Sequence, residues 1–183
     1  MSASVSSIQD LLDFLGLSAT QVGYSEKAAH NFPLRLPDAL MQRIEKGNPR
    51  DPILLQVLPR MDELMMMPGF TTDPVGESGF SPVPGLLQKY PGRALLITTG
   101  ACAVNCRYCF RRHFPYEEQE PSLQQAISWL AQRDDIHEVI LSGGDPLTLS
   151  QRRLAQLWRQ LADIPHLRRL RIHSRQPIVS PDC

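Results

Sequence analysis

From Gly92 onward the apolar residues fall into a repeated strand, loop and helix pattern, and this constrains the fold more than any other feature of the chain. Residues 93–98 read as a buried-type strand, 122–132 as a helix, 138–141 as a strand, 150–162 as a helix and 167–173 as a strand. Short apolar strands alternating with helices of this length imply an α/β fold in which a parallel sheet is covered by helices. In such sheets ligands gather at the carboxyl ends of the strands, so the residues that follow 98, 141 and 173 are the first place to look for function.

All three places carry unusual sequence. After the first strand, Cys102, Cys106 and Cys109 stand in a C-x3-C-x2-C spacing, three of the chain's four cysteines within eight residues. Three thiolates can hold three irons of a 4Fe-4S cluster and leave the fourth iron open to a small molecule, which implies chemistry beyond electron storage. Zinc is the rival occupant, because His113, four residues after Cys109, completes a Cys3His set, and spacing alone leaves it open. Context favours the cluster, since the glycine turn after the next strand has no role in a zinc knuckle. That turn is Ser142-Gly143-Gly144-Asp145. Its glycines permit either a tight turn with positive φ or a close approach of backbone to a ligand, and Asp145 can support the turn or the ligand. Ser174 and Arg175 follow the third strand, so three successive strand ends converge on one site.

The cysteine spacing, with Tyr108 just before the last cysteine, resembles the signature of the radical S-adenosylmethionine (SAM) enzymes, and the Ser-Gly-Gly-Asp turn is similar to their glycine motif. The runs 106–114, 142–147 and 171–175 resemble the lysine 2,3-aminomutase subgroup. Within it, 41–49 and 83–90 look most like the branch that makes (R)-β-lysine for modification of elongation factor P. The resemblance implies a radical SAM (β/α) barrel, of which this chain would hold the first three strands behind a helical N-terminal region. It implies that Cys102, Cys106 and Cys109 bind the cluster, and that Ser142, Gly143, Gly144, Asp145, Ser174 and Arg175 serve SAM. Tyr108 would lie near the adenine or pack over the cluster. Arg111 would hold the substrate carboxylate, and Arg93 would contact pyridoxal phosphate (PLP) or structure nearby. The implied reaction converts L-lysine to (R)-β-lysine, with PLP carrying the migrating nitrogen and a 5′-deoxyadenosyl radical taking a hydrogen atom. The family's PLP lysine has no counterpart in these 183 residues, so the chain is expected to be an N-terminal portion. Two alternatives stay open: an aminomutase of free β-lysine metabolism, and a non-catalytic Fe-S or zinc-binding module.

Composition separates the halves. Prolines concentrate before residue 92, which suggests an irregular helical and extended region over 1–91 and a regular part over 92–183. In the first region 6–17, 37–46 and 51–58 read as short helices, with Ser6 or Ser7 capping the first and Gly47 ending the second. Residues 65–90 read as an extended segment, and Met65, Met66 and Met67 as flexible apolar filling of a core or interface. Trp129 and Trp158 fall at core spacing on their helices. Arg107, Arg111, Arg112 and Arg175 would supply cationic groups for anions, because the guanidinium fork pairs with two oxygens at once; Arg152, Arg153, Arg168 and Arg169 read as surface charge.

Nineteen basic residues balance nineteen acidic ones, so nothing asks for nucleic acid or an anionic membrane surface, and no apolar run reaches spanning length. Crowded cysteines in one loop fit a reducing compartment, with the cytoplasm as the default, and Cys183 reads as incidental. The third strand would present an unpaired edge unless further sequence or another chain covers it, so an oligomer is one possible arrangement.

Overall fold

The helices of the N-terminal region are too short to persist alone, so their caps and their shared core must hold them. The computed structural model describes residues 4–5, 7–77, 79–116 and 122–181, and the chain divides into two units. The first unit comprises Met1–Thr72, Ala103–Arg112 and Gln176–Cys183. Its elements are β1 (Ser4–Val5), α1 (Ile8–Leu15), α2 (Ala19–Val22), α3 (Glu26–Asn31), β2 (Leu36–Pro37), α4 (Asp38–Met41) and α5 (Pro52–Val57), with a helical turn at Gln176–Val179. β1 and β2 pair antiparallel.

Each cap follows from a small polar residue placed one step before an apolar run. The Ser7 hydroxyl accepts from the Asp10 N–H, Ser25 accepts from Ala28, and Asp51 accepts from both Ile53 and Leu54. Ser18 and Gln21 cap each other's backbone reciprocally at α2. Leu11, Leu15, Leu36, Leu54 and Leu58 form the centre of this unit's core, and Val104 of the cysteine loop is buried with them.

The expected helix at 37–46 is shorter than its pattern. Regular α-structure ends at Met41, because the Glu45 N–H donates to the Asp51 carboxylate and the Gly47 N–H donates to the Leu15 carbonyl instead of to the preceding turn. α2 and α3 were not among the expected helices. The methionine trio is not core filling either. Met65, Met66 and Met67 are exposed, on the segment that follows the 3-10 turn Met61–Leu64. The Ser6 cap candidate and Cys183 lie outside the described residues.

The second unit comprises Asp73–Cys102 and His113–Arg175. It contains β3 (Leu86–Tyr90), β4 (Arg93–Thr99), α6 (Leu123–Ala131), β5 (Glu138–Gly143), α7 (Gln151–Ala162) and β6 (Arg169–Ile172). The sheet order is β3-β4-β5-β6. β4, β5 and β6 run parallel, as the alternation demands, with Leu96 opposite Leu141 and Leu141 opposite Ile172. β3 corrects the extended reading of 65–90: it pairs antiparallel with β4 through a turn at Pro91-Gly92 and buries Leu86 and Leu87. Leu96, Leu130, Ile136, Leu141 and Leu161 fill the core between sheet and helices.

The four strands do not close into a barrel, and β6 is an edge whose side chains are largely exposed. Trp158 departs from its core expectation, lying 40% exposed on α7, while Trp129 is half-buried beneath the Arg133 guanidinium. Among the described residues no helix is long and apolar enough to cross a membrane.

Candidate functional site

In the second unit the loops after β4, β5 and β6 are tied together by backbone. The Gly144 N–H donates to the Thr99 carbonyl at 2.6 Å and the Asp145 N–H donates to the Ala101 carbonyl at 2.8 Å. The glycines are what allow this approach. Gly143 has φ +107°, and a Cβ there would lie 2.6 Å from the Thr99 oxygen; a Cβ at Gly144 would overlap the Ala101 carbonyl. The turn after β5 therefore lies directly on the backbone that leads into Cys102.

Asp145 is buried, and its carboxylate accepts from the Leu147 N–H at 3.0 Å and from the Arg175 N–H at 2.8 Å. It thus joins the end of β5 to the end of β6. Ser142 is buried, and its carbonyl accepts from the Thr98 hydroxyl at 3.1 Å. Ser174 and Arg175 are half-buried beside this turn. The structure accordingly brings Ser142, Gly143, Gly144, Asp145, Ser174 and Arg175 together at the carboxyl ends of the strands.

Arg93 sits elsewhere. It opens β4 and is paired in register with Glu138, at the amino end of the sheet, about 20 Å along the strand from Thr99. Glu138 is buried and receives Arg169 at 2.7 Å and Arg171 at 3.0 Å. The Arg169 hydrogen bond, with the charges of Arg171 and Arg93, outweighs desolvation and holds the Glu138 carboxyl below its ordinary range.

In the first unit the cysteine loop is held by groups from the helical region. The Asn105 N–H donates to the Arg35 carbonyl and its side-chain amide to the Pro33 carbonyl. The Arg107 N–H donates to the Gln56 carbonyl at 2.8 Å. The Arg107 side chain, only 6% exposed, forks onto Glu63 at 2.9 and 2.5 Å and also donates to the Phe32 carbonyl at 2.6 Å. Arg112 reaches the same carboxylate at 2.9 Å, and both guanidinium groups lie over the Phe32 ring. Burial alone would raise the Glu63 pKa, but hydrogen bonds from Arg107, the Arg60 backbone and Arg112 together hold it below the usual range.

This arrangement corrects the reading of Arg107 and Arg112 as anion-site groups, because Glu63 already takes both. Sequence reasoning missed Glu63; the visible signal was an acidic residue three positions after Arg60, whose N–H it accepts from at 3.0 Å. Arg111 is buried, with its guanidinium over the Phe110 ring. Tyr108 is 60% exposed, and its hydroxyl donates to the Gln56 side-chain oxygen. His113 is exposed.

Cys102, Cys106 and Cys109 are half-buried and form no disulfide. Among the described residues no three His, Cys, Asp or Glu side chains are gathered as a metal set. The donor chemistry of three cysteine thiols within eight residues, after a strand of a parallel sheet, fits an iron-sulfur cluster with one open iron. Residues 96–182 match the Radical SAM superfamily. This part of the chain is a radical SAM domain.

Its similarity extends beyond the radical SAM domain. The chain is 50% identical over 176 residues to a protein named L-lysine 2,3-aminomutase from Escherichia coli (strain K12), covering 94% of this chain and 51% of that protein. A protein of the same name from Haemophilus influenzae is 48% identical over 174 residues, covering 93% of this chain and 52% of its own length. One from Clostridium subterminale is 30% identical over 181 residues, covering 97% and 44%. The chain thus spans about half the length of the curated relatives it matches.

Proposed function

We propose that this chain supplies the cluster- and SAM-binding part of an L-lysine 2,3-aminomutase that converts (S)-α-lysine to (R)-β-lysine. The observation that carries the reading is the close seating of the Gly143-Gly144 turn on Thr99–Ala101, immediately before the first of the three closely spaced cysteines. When bound, the cluster and SAM supply hydrogen-atom abstraction from an unactivated carbon, and PLP supplies a carrier for the migrating nitrogen.

The residues of this chain would bind, orient and exclude. Cys102, Cys106 and Cys109 would hold three irons. Ser142 and the Gly143-Gly144 turn would offer backbone groups to the SAM ammonium, an approach that side chains would block. Asp145 would keep the β5 and β6 ends in register so that Ser174 and Arg175 face the same ligand. Arg111, buried with its guanidinium over the Phe110 ring, would receive the substrate carboxylate through its two-pronged fork. The likeness of 41–49 and 83–90 to the elongation factor P branch supports delivery of β-lysine to that protein, in the cytoplasm.

Anaerobic reconstitution tests the proposal. About four irons per chain, a band near 400 nm that dithionite bleaches, and 5′-deoxyadenosine formed on adding SAM are the expected results. Zinc without iron would overturn the reading in favour of a structural module. Removal of the protein from its cells separates the two aminomutase branches: elongation factor P that keeps the mass of its β-lysyl group in cells lacking this protein would overturn the elongation factor assignment.

A further inference from the structure

An irregular loop that must present thiolates to a cluster loses conformational freedom when it does so, and something must hold it. Resting on the cluster reading above, we propose that Glu63 is a positioning residue for Cys106 and Cys109. Its carboxylate takes both oxygens' worth of bonds from Arg107, which lies between the two cysteines, and a further bond from Arg112, three residues beyond the second. One carboxylate therefore holds the loop next to Cys106 and on both sides of Cys109, across 44 and 49 residues of sequence.

Fold stability does not call for this arrangement. A buried ion pair is often no more stabilising than apolar side chains of the same volume, and its distinctive property is fixed geometry. The geometry here is over-determined. Arg107 is held at its backbone by Gln56, at one guanidinium nitrogen by Phe32, and at two by Glu63, and its charge lies over the Phe32 ring. The loop's own backbone adds only two short turns, Cys109 N–H to the Cys106 carbonyl and Arg112 N–H to the Cys109 carbonyl. The backbone that carries the two cysteines is thus held through Arg107 and Arg112, and both arginines are bonded to Glu63.

The test is iron release from the reconstituted full chain to a ferrous chelator, followed by absorbance under anaerobic conditions. Partners that orient metal ligands typically change metal affinity by about 10- to 100-fold when removed, so Glu63→Gln should release iron about 10-fold faster or more. Arg107→Lys should fall between Glu63→Gln and the native chain, because it keeps the charge and loses the fork. Combining Glu63→Gln with Arg107→Gln should add little to either alone. Circular dichroism accompanies each variant; if Glu63→Gln does not fold, Glu63→Asp takes its place, with a faster release still expected.

Native release rates in a folded Glu63→Gln or Glu63→Asp chain would overturn the positioning role while leaving the cluster reading intact. A native chain that takes up zinc and no iron would overturn the cluster reading, and the same comparison run as zinc release would then decide the positioning role.

Discussion

Each unit of this chain contains one glutamate that gathers two arginines, and the two differ in where the arginines lie. Glu63 draws in Arg107 and Arg112, whose side chains are 6% and 16% exposed, while Glu138 is met by Arg169 and Arg171, at 62% and 51%. The same charges on the same scaffold of bonds do different work. In water-screened surroundings an ion pair contributes little and mainly decorates an edge; in a poorly solvated one it specifies where its backbone must go. The cysteine loop lies on the buried version and the outer strand of the sheet on the exposed one.

The largest effect should come from the loop itself. Cys106→Ala leaves two thiolates of the proposed three, so bound iron should fall from about four per chain to a small remainder and deoxyadenosine formation should vanish. The fold should persist, since Cys106 is only half-buried at the margin of the first unit's core. Retention of a full cluster, measured by iron and sulfide analysis, would break the assignment of the loop as the chemical centre.

Next is the glycine turn, the second unit's counterpart to the Glu63 cluster. There contact is set by missing side chains rather than by charge. Gly144→Ala forces a Cβ into the Ala101 carbonyl, and overpacking of this kind costs about 3 kcal/mol. Urea unfolding should show the loss, with amide exchange rising first in β4 and β5. Stability within about 0.5 kcal/mol of the native chain, the range of ordinary surface substitutions, would mean that the turn yields easily and that its glycines serve only a ligand.

How much of this was legible depends on the range of the interactions. The β4, β5 and β6 strands and the helices between them follow from local apolar pattern, and the structure keeps them. β3 was hidden because its five residues sit between Gly-Pro-rich turns and gain their meaning only by pairing with β4. The Ser18-x-x-Gln21 box did mark α2 in sequence, but four residues carry too weak a period to stand out. Glu63 was passed over for a different reason. Its local spacing from Arg60 marks only a turn, and the arginines that bury its charge are more than forty residues away. The same ignorance made Arg107 and Arg112 look like groups waiting for an anion.

A moderate effect should appear in the acid dependence of the first unit. The Glu63 carboxyl is depressed in the folded chain, so its stabilisation is fully present above the ordinary carboxylate pKa of about 4.3 and is lost as pH falls through the folded value. The difference in unfolding free energy between the native chain and Glu63→Gln should be about 1–3 kcal/mol near neutrality and shrink steadily below pH 4 or so. A difference that stays constant down to strong acid would mean that the carboxylate's charge is not what holds the arginines.

The smallest effect should come from Glu138, and it sharpens the contrast most. Its carboxyl is also depressed, with the Arg169 hydrogen bond as the leading cause, so the sign of the pH dependence is the same. Its partners, however, can recover hydration by swinging into solvent when the charge is removed, which Arg107 cannot do from its buried position. Glu138→Gln should therefore change acid stability less than Glu63→Gln does, and added salt should erase more of its effect. Equal losses for the two variants across a salt series would show that strand register at Arg93, Glu138 and Arg169, rather than solvent screening, governs the pair. The edge strand β6 would then be fixed as firmly as the cysteine loop, despite its exposure.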